Sequence, residues 1–199
     1  FRDQGLRSRY LRLGFEPKVL ASLPHRQTPQ MDIAFVGSIG SAHSERSVIL
    51  ESLADHHSVG LWSDKRPAAV GNSNLAVSYK GMAWGLQMYE AVAQSKIGFN
   101  GHIVIAEGYS NNLRLYETTG VGSMLLTDAG VNLDGLFRPD VEVVRYSSVE
   151  ECIELADHLL EHPKERESIA RAGQKRTLAD HSWEVRMQEL SDVIHGEIQ

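Results

Sequence analysis

The stretch Met31-Asp32-Ile33-Ala34-Phe35-Val36-Gly37-Ser38-Ile39-Gly40 decides the fold. Its first six residues are a short, mostly apolar run suited to a buried strand, and the glycines at 37 and 40 end it. A helical pattern follows from about Ser44, with Val48, Ile49, Leu50 and Leu53 returning at helix spacing. Strand, glycine turn and helix form the opening unit of a doubly wound sheet. Downstream the alternation continues. Residues 57–62 read as a second strand, and 64–78, broken by Pro67 and Gly71, as an irregular connection with one weak element. Residues 85–92 are a short helix and 96–100 a strand, with a loop to about Gly108. The spacing predicts a helix over 113–119, with cap candidates before it and Gly120 behind. Residues 123–127 and 141–144 are the last strands. Ser148-Val149-Glu150-Glu151 is a capping box, Pro163 suits the first turn of another helix, and Ser182 caps a last one carrying Trp183, Met187, Leu190, Val193 and Ile194. The expected fold is α/β, a Rossmann-like parallel sheet with flanking helices, over residues 31–199. Residues 1–30, charged and punctuated by Pro17, Pro24 and Pro29, read as a lead-in with a short strand around 10–13.

Composition narrows the function classes. The 199 residues are 42% hydrophobic and 23% charged, the balance of an ordinary globule with a sizeable core. A net charge of −6 argues against nucleic acid as a partner, since such binding needs a basic patch. The single cysteine, Cys152, excludes an intrachain disulfide and a cysteine-based metal site, and agrees with a reducing, cytoplasmic compartment. No run approaches 18 apolar residues, so no transmembrane segment is expected. The start at Phe1, without a signal-like run, reads as an edge of the expressed piece, a processing point or a cut within a longer protein. Gly37-Ser38-Ile39-Gly40 is neither G-x-G-x-x-G nor G-x-x-x-x-G-K-[ST], which disfavours a plain NAD or ATP loop. Metal-ligand spacing of the H-E-x-x-H kind is absent, and Ser38 is not in G-x-S-x-G.

In a doubly wound sheet ligands sit beyond the carboxyl ends of the strands, here the loops after Val36, Phe99 and Thr127 and the helix beginning near Asn112. Arg114 and Glu117 are three apart and share one helix face. Amides at the start of that helix can hold a phosphate, Arg114 can add a forked contact, and a carboxylate such as Glu117 suits the two hydroxyls of a ribose. From spacing alone, a surface ion pair worth about 0.2–0.5 kcal/mol is the stronger reading. Lys96 and Asn100 flank a strand end beside this loop. Arg46, near the start of the first helix, opposes the helix dipole unless it reaches an anion. Of nine histidines only His102, just past Asn100, stands in a ligand-facing loop where it can exchange a proton.

These residues belong to a wider pattern. It includes Tyr79-Lys80-Gly81 with Gly85 and Tyr89, then Ser95-Lys96-Ile97-Gly98-Phe99-Asn100. Asn112-Leu113-Arg114-Leu115-Tyr116-Glu117 and Gly122-Ser123-Met124-Leu125-Leu126-Thr127-Asp128 follow. The tail adds His162-Pro163-Lys164-Glu165-Arg166 and His181-Ser182-Trp183-Glu184-Val185-Arg186. Over about residues 32–190 the chain resembles the CgeB-like, spore-maturation-type glycosyltransferases, related to group 1 enzymes of the GT-B fold. The resemblance implies the C-terminal domain that holds a nucleotide-diphosphate sugar, with 1–30 as the linker and tail of an N-terminal acceptor-binding domain. It implies that Glu117 grips the donor ribose. Arg114 with Asn111, Asn112, Thr118 and Thr119 marks the diphosphate neighbourhood, approached by Gly37, Ser38 and Arg46. Lys96, Asn100 and His102 are expected to face the cleft.

The implied reaction moves a sugar to an acceptor glycan or other hydroxyl without a cofactor. Arg114, Lys96 and Arg46 neutralise the departing diphosphate, His102 is a further catalytic candidate, and a metal is unnecessary if these cations suffice. Many group 1 relatives carry two glutamates with seven residues between them. Here the position eight before Glu117 is Tyr109, and Glu107 is out of register, so the retaining mechanism and the sugar stay open. A nucleotide-binding or regulatory module without catalysis stays open as well.

Overall fold

The computed structural model describes residues 4–24, 28–39, 44–67, 73–102 and 108–198; Gly40 and Glu107, on which parts of the sequence reading fall, lie outside them. The described strands are β1 (Met31–Val36), β2 (Val59–Trp62), β3 (Tyr79–Gly81), β4 (Ser95–Asn100), β5 (Met124–Asp128) and β6 (Val144–Tyr146). They form one parallel sheet in the order β3-β2-β1-β4-β5-β6. The order reverses direction between β1 and β4, so the crevice for a ligand opens beyond their carboxyl ends. The helices are α1 (Ser44–His56), α2 (Asn74–Val77), α3 (Leu86–Ala93), α4 (Leu113–Gly120), α5 (Val149–Glu161), α6 (Pro163–Asp180) and α7 (Trp183–Ile198).

Because side chains alternate along a strand, the sheet sorts its apolar residues to two faces. Ile33, Phe35, Ile97, Phe99, Met124 and Leu126 meet α1 through Ile49, Leu50 and Leu53 and α5 through Cys152, Ala156 and Leu159. Val36 and Leu125 face the other way, onto Ala91 and Val92 of α3 and Leu115 and Tyr116 of α4. At Gly98 the helix α4 lies directly on β4: a Cβ added there would run into the Thr118 methyl. That close seat fixes where the amino end of α4 emerges. The α5 cap follows the box pattern, with Ser148 Oγ accepting from Glu151 N (3.1 Å). Glu151 Oε2 reaches back to Ser147 N (2.6 Å), one residue earlier than the standard box.

Two expectations move, and one strand is added. The strand expected at 10–13 does not form; instead fully buried Phe15 bridges Ser182, with Phe15 N donating to His181 O and Trp183 N to Phe15 O, both at 2.8 Å. Leu13, Val19, Leu20 and Leu23 then pack on the α3–α4 side of the core, drawn there by their apolar surface. The last strand is Val144–Tyr146, because Glu142 folds 138–142 into a turn by accepting from Arg138 N (2.8 Å) and Nε (3.0 Å). β3 is a strand that the sequence reading passed over. Among the described residues no helix is long and apolar enough to cross a membrane.

Candidate functional site

The register of the sheet sets Asn100 beside Thr127 at adjacent strand ends. Asn100 Nδ2 donates to Thr127 Oγ1 (2.9 Å), and Asn100 Oδ1 accepts from Asn112 Nδ2 (2.8 Å). Asn112 Oδ1 in turn caps α4 by accepting from Leu115 N (3.3 Å). This polar chain ties the amino end of α4 to β4 and β5. It continues the other way: Thr127 Oγ1 donates to Asp128 Oδ1 (3.2 Å), and Asp128 accepts from His102 N (2.8 Å) and pairs with His102 Nδ1 (2.6 Å). Burial alone would raise the Asp128 carboxyl, but the His102 and Thr127 hydrogen bonds outweigh it and hold it below the usual carboxylate range. With Asp128 on Nδ1, His102 is oriented, and its buried Nε2 has no hydrogen-bond partner.

Beside this network, on the β2–β3 side, lies a cavity of about 280 Å³. Val36, Gly37 and Ser38 from the end of β1 form one wall, and Trp62, Ser63 and Asp64 from the end of β2 another. Met82, Ala83 and Trp84, which follow β3, close it with Met88 of α3, and Arg114 of α4 reaches in from the side. Trp84 is 75% exposed, so a large apolar ring stands open to solvent in a concave site, a place where a planar group gains by stacking.

Arg114 is the decisive side chain. Burial lowers its basicity, opposed by Glu117 and Tyr89. Its Nη1 lies 2.9 Å from Glu117 Oε2, yet Nε and Nη1 are both buried without an aligned hydrogen-bond partner. Buried guanidinium donors rarely stay unused, and an anion in the cavity would satisfy them. Glu117 stands behind Arg114: burial raises its carboxyl, while Arg114 and a hydrogen bond from the Tyr89 hydroxyl pull it down.

A family model described as glycosyl transferase-like matches residues 18–192. The chain belongs to the glycosyl transferase-like family. Curated protein sequences give no match. Among solved structures, HepE of Anabaena in complex with UDP and glucose superposes with a TM-score of 0.74 at 10% identity, covering 98% of this chain and 59% of that one. Sucrose-phosphate synthase of Thermosynechococcus elongatus gives 0.72 at 13% identity, covering 96% and 53%. The C-terminal domain of LpcC, a group 1 family glycosyl transferase of Francisella tularensis, gives 0.62 at 13% identity, covering 85% and 99%. The glycosyl transferase-like chain thus has the fold of the C-terminal domain of GT-B enzymes and spans little more than half the length of the first two relatives.

Within this glycosyl transferase-like domain the residues singled out from sequence separate into groups. Gly37, Ser38 and Arg114 meet at the cavity. Asn100, Asn112 and His102 form the adjoining network. Arg46 braces the crevice: Nη1 donates to Ser38 O (2.9 Å) and Nη2 to Gly101 O, joining the loops after β1 and β4.

Other placements are corrected. Lys96 is the second residue of β4, not its end; at ~3.3 Å per residue it lies about 13 Å from Asn100. Its Nζ pairs with Asp32 Oδ1 at 2.6 Å, at the amino edge of the sheet, so it does not face the cleft. Asn111 serves the incoming segment, with Oδ1 accepting from Leu13 N (3.2 Å). Thr118 and Thr119 are buried in the second half of α4, Thr118 on Gly98 and Thr119 Oγ1 against Thr177 Oγ1 (2.6 Å), and neither lines the cavity. The sequence reading missed Trp62, Asp64, Met82 and Trp84 as cavity walls and Asp128 as the partner of His102. For Asp128 a signal existed, an acid directly after a predicted strand end. For the others only the pairing of β2 with β3 makes them neighbours.

Proposed function

We propose that this chain is the donor-binding half of a CgeB-like glycosyltransferase, which moves a sugar from a nucleotide-diphosphate sugar to an acceptor hydroxyl. The observation that carries this is Arg114, a buried guanidinium with unused donors, opening into a cavity between glycine-turn and tryptophan walls at the strand ends. The base stacks against Trp84, and the diphosphate lies across Gly37 and Ser38 toward the amino end of α4. Arg114 swings from Glu117 to the diphosphate, and the freed carboxylate accepts from the ribose hydroxyls. HepE, which shares the fold, was solved with UDP-glucose.

In the reaction the bond from the anomeric carbon to the β-phosphate oxygen breaks and its electron pair leaves with the diphosphate. The acceptor oxygen forms the new bond, and its proton passes to a base from the acceptor-binding domain. Arg114, the α4 amides and His102, oriented by Asp128, stabilise the charge growing on the diphosphate. Arg46 acts by holding the two loops in place.

The test is a calorimetric panel of nucleotide sugars against the chain and its Arg114→Ala and Arg114→Lys variants. Micromolar to millimolar binding of a donor is expected, weakened tenfold or more in Arg114→Ala and less in Arg114→Lys, with no transfer by the chain alone. Equal binding by wild type and both folded variants overturns the reading.

A further inference from the structure

Asp64 is the one carboxylate among the described residues lining the cavity. Beyond the glycine turn and Arg114, its neighbours in the lining are Ser63 and the apolar Val36, Trp62, Met82, Ala83, Trp84 and Met88, so an exposed acid shares the slot with one cation and a mostly apolar wall. Its position is held. Ser63 N donates to Gly81 O (2.9 Å), fixing the β2 end against β3, and Ser63 Oγ donates to Asp64 Oδ1 (3.1 Å). Arg114 reaches the cavity from α4, and Asp64 from the end of β2. Both line the same cavity, so a nucleotide whose diphosphate meets Arg114 has its base in a slot that holds this one carboxylate.

That edge has to donate. A carboxylate is an acceptor only and takes two parallel N–H groups best. Guanine offers N1–H and the 2-amino group side by side. Uracil offers one N–H between two carbonyl oxygens, which a carboxylate repels; adenine and cytosine each offer an amino group next to a ring-nitrogen acceptor. We propose that Asp64 reads the base of the donor and selects guanine, making the substrate a guanosine-diphosphate sugar. This rests on the donor-binding reading above and adds the base to it.

Quenching of tryptophan fluorescence by GDP, IDP, UDP and 2′-deoxy-GDP, with the whole chain and an Asp64→Asn variant, tests it. The expected order is GDP tightest, UDP weaker by about tenfold or more, and IDP, which keeps only N1–H, between them. Asp64→Asn should cost GDP about tenfold and leave UDP unchanged, with an unaltered melting temperature because the side chain is exposed. UDP binding as tightly as GDP, or a variant that weakens both alike or neither, overturns the proposal while leaving the donor site standing. If Asp64→Asn weakens GDP but leaves 2′-deoxy-GDP unchanged, Asp64 reads the ribose 2′-hydroxyl, and that overturns the proposal too. If no nucleotide binds, the donor-binding reading itself falls, and this inference with it.

Discussion

Replacing His181 with glutamine should remove a pH dependence that the rest of the chain keeps. His181 is fully buried, with its ring against Tyr116 and Phe137 at 5.2 and 5.0 Å between centroids. Its Nε2–H donates to Leu136 O (2.7 Å), and Nδ1 accepts from Arg186 Nη2. A guanidinium only donates, so a proton on Nδ1 would end that bond and set two cations face to face. Burial chiefly, with Arg186 adding to it, lowers the imidazole from 6.5 to about 4. Between these values the unfolded chain holds a proton that the folded chain refuses, so stability falls as the pH falls through this window. At ~1.4 kcal/mol per pH unit the loss reaches about 3 kcal/mol once the pH is near 4. Urea unfolding of wild type and His181→Gln from pH 8 to pH 4 isolates the effect, because Glu117, Asp128 and Asp32 titrate alike in both. The wild-type advantage should shrink by about 3 kcal/mol across that range. A difference between the two proteins that stays constant with pH would refute the buried neutral tautomer.

Gly98→Ala should destabilise the domain by about 1–3 kcal/mol, because the new methyl meets Thr118 and α4 must lift from β4; thermal unfolding reads this as a drop of several degrees. Trp84→Ala should leave the melting temperature nearly unchanged, the ring being 75% exposed, while weakening nucleotide binding about tenfold in a calorimetric titration. Cys152 is fully buried and its thiol is pushed up to about 12 by burial chiefly, so the native chain at pH 8 should react with an aromatic disulfide reagent only after denaturant is added.

The fold was legible where one short segment carries its own periodicity. Residues 31–36 form the strand expected of them, and the Pro163 and Ser148 signals place α6 and α5 because caps act over three or four residues. β3 was not legible: with three residues, one of them Gly81 at φ +95°, it is held by its pairing with β2 and not by its own pattern. The same limit governs the site. Arg114 and Glu117 are neighbours by helix spacing alone, so their pairing could be read from sequence. Trp62 and Trp84 share a cavity only because β2 and β3 end side by side. Lys96 was misplaced because a strand's start and end look alike until its direction in the sheet is known. The contact of the Asn111 side chain was not legible because its partner, Leu13 N, lies 98 positions away.

The pairing of Phe15 with the residues around Ser182 has a mechanical consequence. The strand of chain that enters the domain and the one that leads into its last helix are clasped together by two backbone hydrogen bonds, with Arg186 Nε bound to Leu13 O (2.9 Å) as a third fastening. A pull on one is shared by the other before it reaches the sheet. Because Leu13 N is also held by Asn111 Oδ1, a load applied at this clasp passes to the loop that leads into α4 as well.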